Sequence, residues 1–305
     1  MLKKMAAKAL TGTAKIIFKG SSRFRSVRIS FKKKCAKIKT PIVVHNMAKV
    51  GSKTIVRSMK AFDPFAEIYQ THYLSVKGLI RAEEKMGMLP NKFWAHIDEN
   101  RRLSRRIRFD HEVKQWQVIT LVRDPVERNI SYFFHCLEYL LPSAADEFYA
   151  GRMTAAKLID LFLENLHENS PLHFVFPPYI WFEEEMLPVF NIDVFSVPFP
   201  KEKGYRIYLG EKARLLLIRL ESLQQCAVEA FYSFLGIPKF KIVNENTSAQ
   251  RLKNKKCPYY SLYDEFKEKI VFPRKYLDEM YGSKLVKHFY SDEEISNFKQ
   301  KWESD

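Results

Sequence analysis

The 305-residue sequence has no stretch approaching the roughly 18 to 20 consecutive apolar residues that a membrane-spanning helix needs. Lys8 and Lys15 interrupt any apolar core near the start, which argues against a secretory signal. There are only four cysteines, Cys35, Cys136, Cys226 and Cys257, and they are far apart. None has the CxxC or Cys/His spacing of a zinc site, so neither a structural metal nor a disulfide scaffold organises the chain. Their sparse use fits a reducing compartment. Residues 1–40 contain no Asp or Glu at all, and no internal repeat or low-complexity linker interrupts the remainder. These absences lead to the expectation of a cytoplasmic protein, peripheral to a membrane if it contacts one.

The basic charge is concentrated at one end. Thirteen Lys or Arg lie in residues 1–40, so of a formal net charge of +16 only +3 belongs to the rest. A nucleic-acid binder is disfavoured, because the positive footprint would be a tail and not a folded groove. Leu2, Met5, Ala6, Ala9, Ile16 and Ile17 recur at roughly helical spacing between lysines, which suits an amphipathic helix on an anionic membrane. A solvated basic extension satisfies the same pattern. The body, residues 41–305, has the composition of an ordinary globular domain, with 46% hydrophobic and 28% charged residues overall.

Pro41-Ile-Val-Val-His45 is a β-branched run, followed by Ala48-Lys-Val-Gly-Ser-Lys-Thr54 and then by Ile55, Val56 and Met59 at helical spacing. This reads as strand, loop and helix. Gln117-Val-Ile-Thr-Leu-Val122 reads as a buried strand running into Arg123-Asp-Pro-Val-Glu-Arg128. Asp124 suits the N-cap of a helix, Pro125 its first turn, and Glu127 completes a capping-box-like start. Residues 93–97 read as a strand end, and 192–197, 205–209 and 215–220 as strands. Residues 155–166, 180–189 and 224–235 read as helices, the last stopped by Gly236-Ile-Pro238. Strands alternating with helices predict an α/β domain around a mainly parallel sheet.

In such a sheet ligands sit at the carboxyl ends of the strands, where loops enter helix N-termini. Lys49-Val-Gly-Ser-Lys-Thr54 is one such loop: its N–H groups and the helix dipole can hold a phosphate, with Gly51 permitting close approach, Ser52 and Thr54 donating hydroxyls and Lys49 supplying charge. It is not a Walker A loop, since no Gly-Lys-Ser/Thr triplet occurs there, and this disfavours a nucleoside-triphosphate hydrolase. A plain glycine turn is the competing reading. Arg123 and Ser131 form the second motif, eight residues apart and about two helical turns into the capped helix. Arginine recognises phosphate bidentately and the serine adds a donor. The competing reading pairs Arg123 with Asp124 or Glu127 and turns Ser131 back onto its helix.

Together, Lys49 to Thr54 and Arg123-Asp-Pro-Val-Glu-Arg-Asn-Ile-Ser131-Tyr-Phe resemble the 5′-phosphosulfate loop and 3′-phosphate motif of sulfotransferases that use 3′-phosphoadenosine 5′-phosphosulfate. They are similar in particular to uronyl and heparan sulfate 2-O-sulfotransferases. Farther on, Phe272-Pro, Tyr281-x-Ser283-Lys-Leu and His288-Phe-Tyr-Ser291 are similar to bacterial proteins labelled as capsular polysaccharide synthesis enzymes. The resemblance covers residues 41 to 140 best. It implies a P-loop-like three-layer sandwich and no metal. It also implies Lys49, Gly51, Ser52, Lys53 and Thr54 around the phosphosulfate, with Arg123 and Ser131 on the 3′-phosphate. Lys53 departs from the small or hydroxyl residue usual in that family. Arg251 and Lys253, in Arg251-Leu-Lys-Asn-Lys-Lys256, stand late in the chain like the basic loop that closes over the nucleotide; a solvated charge run is the alternative.

Sulfuryl transfer to a carbohydrate hydroxyl is the activity the resemblance implies, in capsular or extracellular polysaccharide synthesis. A noncatalytic nucleotide- or glycan-binding member of an assembly complex is the other reading. Lys49 is the candidate for stabilising the leaving phosphate and His96 the candidate base, with His45, His72 and Glu67 behind it. Arg101, Arg102, Arg105, Arg106 and Arg108 follow His96; bordering the acceptor cleft they would suit an acidic polysaccharide, and on a helix surface they would be solvated charge.

Overall fold

The computed structural model describes residues 37–86, 94–110, 113–166, 179–243 and 257–303. Most of the basic extension, and with it the amphipathic stretch, lies outside these residues, as do Arg251 and Lys253. Among the described residues no helix is long and apolar enough to cross a membrane.

A five-stranded sheet forms the centre: β1 (Ile42–His45), β2 (Ile68–Thr71), β3 (Trp116–Val122), β4 (Tyr205–Leu209) and β5 (Ala213–Arg219), in the order β2-β1-β3-β5-β4. The first four in that order are parallel, and β4 closes the edge as the antiparallel arm of a hairpin with β5. β1 and β3 are buried along their whole lengths, which is why both are dominated by Ile, Val and Leu. β1 has β2 on one side and β3 on the other, so the strand order reverses there and opens a crevice at their carboxyl ends.

Helices flank the sheet. α1 (Ser52–Phe62) follows β1, α2 (Val76–Met86) and α3 (Trp94–Phe109) lie between β2 and β3, and α4 (Pro125–Leu140) follows β3. After α5 (Ala144–Tyr149) and α6 (Ala155–Glu164), a π-helical turn, Phe182–Met186, runs into α7 (Leu187–Phe190). α8 (Leu223–Leu235) ends on Gly236 in the left-handed region, as its Gly-Ile-Pro stop predicts. α9 (Tyr263–Lys269), α10 (Arg274–Gly282), α11 (Lys284–Phe289) and α12 (Asp292–Gln300) complete the chain. Phe266 on α9 stacks with Phe133 of α4, ring centroids 5.8 Å apart, so this carboxyl-terminal layer joins the same core.

Three sequence readings are corrected. Residues 94–97 open α3 and end no strand: Ile97, Asn100, Leu103, Ser104 and Ile107 are buried at helical spacing, a pattern longer than the five residues that suggested β structure. Residues 192–197 are a turn, in which Asp193 accepts from the Phe195 N–H at 2.8 Å and Ser196 Oγ donates to the Asp193 carbonyl at 2.7 Å. Local side-chain bonding of this kind displaces a sheet ladder. The start of α4 is also no reciprocal capping box. Asp124 does accept from the Val126 and Glu127 N–H groups, but its own N–H goes to Glu221, not to Glu127.

Candidate functional site

β1 delivers the chain into the crevice through Asn46, whose side chain accepts the Leu121 N–H of β3 and so ties the two strands where they part. The loop then turns twice through the left-handed region, at Lys49 (φ 70°) and at Gly51 (φ 93°). The φ of Gly51 favours glycine there, and a Cβ would also press on Leu220 Cδ1, 2.7 Å away. Gly51 caps α1, whose first N–H groups have no acceptor of their own within the helix.

Two guanidinium groups from the start of α4 hold this loop from behind. Arg123 Nη1 donates to the Lys49 carbonyl at 3.1 Å, and Arg128 Nε donates to the Ala48 carbonyl at 3.1 Å. The structure thus brings Arg123 onto the backbone of Lys49. Arg123 Nη2 also pairs with Glu127 at 3.2 Å, so the competing ion-pair reading holds for that nitrogen. Glu127 is shared with Lys267 at 2.7 Å and with Lys301, which fasten α9 and the segment after α12 to the site. Ser131 follows on α4 with 1% of its surface exposed. Ser52 is buried and its Oγ accepts from Gln70 Nε2 at 3.0 Å, whereas Lys53 is exposed on the outer face of α1.

Arg128 went unassigned in the sequence, although it ends the Arg-Asp-Pro-Val-Glu-Arg run. It is 3% exposed, and burial pulls its pKa down. Nη1 reaches Asn129 Oδ1 at 2.8 Å, but Nη2 is buried without a hydrogen-bond partner, and no carboxylate pairs with it among the described residues. The neighbouring groups are Tyr73, Tyr132, Tyr276 and Cys136. All four hold their protons more tightly than usual, chiefly because they are buried. A cation desolvated without a counter-ion is costly unless an anion arrives.

The histidines gather on the other side of the loop. His72, just past β2, donates from Nδ1 to the Asn46 carbonyl at 2.6 Å, which fixes Nε2 as the lone-pair nitrogen. Burial, followed by the fields of His96, His45 and Arg128, outweighs that bond and lowers its pKa to about 4. His96 comes in from α3 with its ring 6.1 Å from that of His72, and burial lowers its pKa as well. His45 is fully buried beside Trp181, with Nε2 3.4 Å from Glu185. Glu67 is at the amino end of β2, bonded by Arg106 at 2.6 Å and so placed away from the crevice.

Glu185 is a second residue that sequence reading passed over. From the π-helical turn its carboxylate accepts the N–H groups of Leu74 and Ser75, at 2.7 and 2.9 Å, and the Ser75 hydroxyl at 2.8 Å. It thereby fixes the turn that presents His72, while Trp181 Nε1 donates to the His72 carbonyl at 3.4 Å. The signal was available in the Glu183-Glu184-Glu185 run, since Glu185 alone shares the spacing of buried Trp181, Phe182 and Met186.

Two further carboxylates, Asp124 and Glu221, lie just past the carboxyl ends of β3 and β5. Glu221 accepts from the Asp124 N–H at 2.8 Å and from Tyr290 Oη at 3.0 Å, and Tyr281 Oη donates to Asp124 at 3.2 Å. Burial, then Glu221 and Glu127, raise Asp124 to about 7. Unfolded Asp124 releases its proton near pH 3.8 and folded Asp124 near 7, so over that window the folded state carries the extra proton. Its contribution to stability is complete below the unfolded value and lost as pH rises through the folded one. Chemical denaturation from about pH 4 to 8 is expected to show this fall, flattened in Asp124→Asn; an equal slope in the variant would assign it to other groups.

Residues 153–291 match the family model described as "Putative capsular polysaccharide synthesis protein". The match makes this segment, less than half of the chain, similar to that family. It takes in Glu185, Glu221, Tyr281 and Tyr290 but neither phosphate motif, so the carboxyl-terminal part of the site carries this similarity and the β1 and β3 loops stand outside it. No curated protein and no solved structure gives a significant match to the chain.

Proposed function

We propose that the protein transfers a sulfuryl group from 3′-phosphoadenosine 5′-phosphosulfate to a carbohydrate hydroxyl during polysaccharide synthesis. The observation that carries this reading is the buried guanidinium of Arg128, bonded to the Ala48 carbonyl and left with an unpartnered Nη2 beside a loop built like an anion nest. The polysaccharide-synthesis family match supports the carbohydrate as acceptor.

In this reading the loop N–H groups and the α1 N-terminus hold the 5′-phosphosulfate, with Lys49 at the bridging oxygen. Arg123 and Ser131 take the 3′-phosphate. The acceptor oxygen attacks sulfur as the bond from sulfur to the phosphate oxygen breaks, and the hydroxyl proton passes to a histidine. The products are the sulfate ester, 3′-phosphoadenosine 5′-phosphate and a proton. Charge grows on the leaving oxygen, where fixed N–H dipoles and Lys49 stabilise it without reorganising. His72 is the better placed acceptor for the proton, because its tautomer is fixed by Asn46 and it is neutral at pH 7.

Calorimetry with 3′-phosphoadenosine 5′-phosphate tests the assignment. Micromolar binding is expected, lost in Arg123→Ala and not reproduced by 5′-AMP or ATP. Equal affinity for 5′-AMP would contradict it, because Arg123 and Ser131 are assigned to the 3′-phosphate.

A further inference from the structure

A cavity of about 410 Å³ lies between the edge strand β2 and α3, lined by Ile68, Tyr69, Gln70, Glu99, Asn100, Arg102, Leu103 and Arg106. Its volume is within the range of small-molecule sites, roughly 300 to 1,000 Å³. We infer that this cavity is the acceptor subsite and that it takes a neutral pyranose ring; the inference rests on the transfer reading above.

Position argues first. His96, Asn100 and Leu103 stand at i, i+4 and i+7 on α3, so the cavity wall continues along one helix face from the histidine pair. On the opposite wall Gln70 lines the cavity and bonds Ser52 of the loop at 3.0 Å. The Gln70 end of the cavity is therefore the end next to the loop, and the Arg106 end, bonded to Glu67, is the far one.

Chemistry argues second. Asn100 is 2% exposed, and its Nδ2 is buried with no hydrogen-bond partner. A buried amide without a partner is costly, and a ligand hydroxyl or water would satisfy it. Arg102 adds a donor at the mouth and Glu99 an acceptor, while Ile68 and Leu103 supply apolar contact. A pyranose, whose hydroxyls both donate and accept on a partly apolar ring, matches that mixture.

Charge decides between neutral and anionic sugars. The arginines that made α3 look like an anion site are largely spent. Arg101 is paired with Asp98 and Glu83, Arg106 with Glu67 and Asp110, and Arg105 and Arg108 are exposed and do not line the cavity. At the cavity the cations are Arg102 and Arg106, facing Glu99 on the wall and the Glu67 and Asp110 carboxylates bonded to Arg106. Two positive charges against three negative ones do not favour a uronate.

The test uses the full chain, isotopically labelled, with gluco-, manno- and galacto-configured neutral tetrasaccharides and a hyaluronan tetrasaccharide as the uronate. A neutral tetrasaccharide is expected to shift the Asn100 side-chain amide resonance and to bind about tenfold more weakly to Asn100→Ala. Arg105→Gln, exposed on α3 outside the cavity, should leave that affinity within about twofold, and the binding should be insensitive to salt. The amide shift needs no variant, so instability of Asn100→Ala does not block the result. Binding of hyaluronan alone, or no shift at Asn100 with any probe, overturns the inference. Nucleotide titration of the same samples separates the two ideas: sugar binding without 3′-phosphoadenosine 5′-phosphate binding refutes the transfer reading and leaves the subsite standing.

Discussion

Turnover is expected to fall ~10²–10⁴-fold in His72→Gln while affinity for 3′-phosphoadenosine 5′-phosphate stays within about twofold of wild type. Glutamine retains a donor for the Asn46 carbonyl, so the loop keeps its anchor and only the basic nitrogen is lost. The imidazole is neutral in the free protein because burial and the nearby positive fields of His96, His45 and Arg128 lower its pKa to about 4. An anionic donor held by Arg128 offsets only the smallest of those fields, so burial still keeps the base neutral and able to accept a proton at the working pH. Transfer of labelled sulfate to a panel of uronic-acid-containing and neutral polysaccharides measures the rate, and its acid limb should lie between about pH 4 and 7. His96→Ala should cost less, since it is the His72 ring that is bonded to the start of the loop through the Asn46 carbonyl. A larger loss in His96→Ala than in His72→Gln would return the role of base to His96.

Where an element carries its own signal, it was legible. β1 and β3 are buried on both faces, so Ile42, Val43 and Val44, and all of residues 116–122 except Gln117 and Thr120, are apolar. The same holds, as local structure, for the turn from Lys49 into α1 and for the Asp124-capped start of α4. β2 was missed because Ile-Tyr-Gln-Thr is a half-exposed edge with no alternation to read. α3 was misread because its arginines conceal a narrow buried stripe. The site residues that escaped notice are those whose role depends on a distant backbone group. Glu185 is defined by the Leu74 and Ser75 N–H groups, more than a hundred positions away, and Asn46 by the Leu121 N–H and by His72. Single-chain periodicity contains no trace of such partners. Burial of a charged side chain with its bonds unfilled becomes visible only in three dimensions, and Arg128 is the instance that matters most.

Arg128→Met is therefore expected to separate a ligand-binding role from a structural one. The side chain is 3% exposed, donates to the Ala48 carbonyl and to Asn129, and leaves Nη2 buried and unpaired. Without ligand, methionine removes a desolvated charge, which favours the free protein, and it gives up hydrogen bonds from a charged donor worth about 1.5–3 kcal/mol each. These opposing effects leave the melting temperature of the free protein close to wild type. With nucleotide the two proteins should part. At a hundred times the dissociation constant, 3′-phosphoadenosine 5′-phosphate stabilises a protein that binds it by about 2.7 kcal/mol. Wild type should show that rise in melting temperature and Arg128→Met should show none, because the unpaired guanidinium is the group the anion neutralises. Sulfate or inorganic phosphate at high concentration should reproduce part of the wild-type rise and again leave the variant unmoved. If Arg128→Met melts well below wild type and yet gains the same increment from nucleotide, Arg128 serves only to hold the Ala48 carbonyl, and the anion sits elsewhere along the loop.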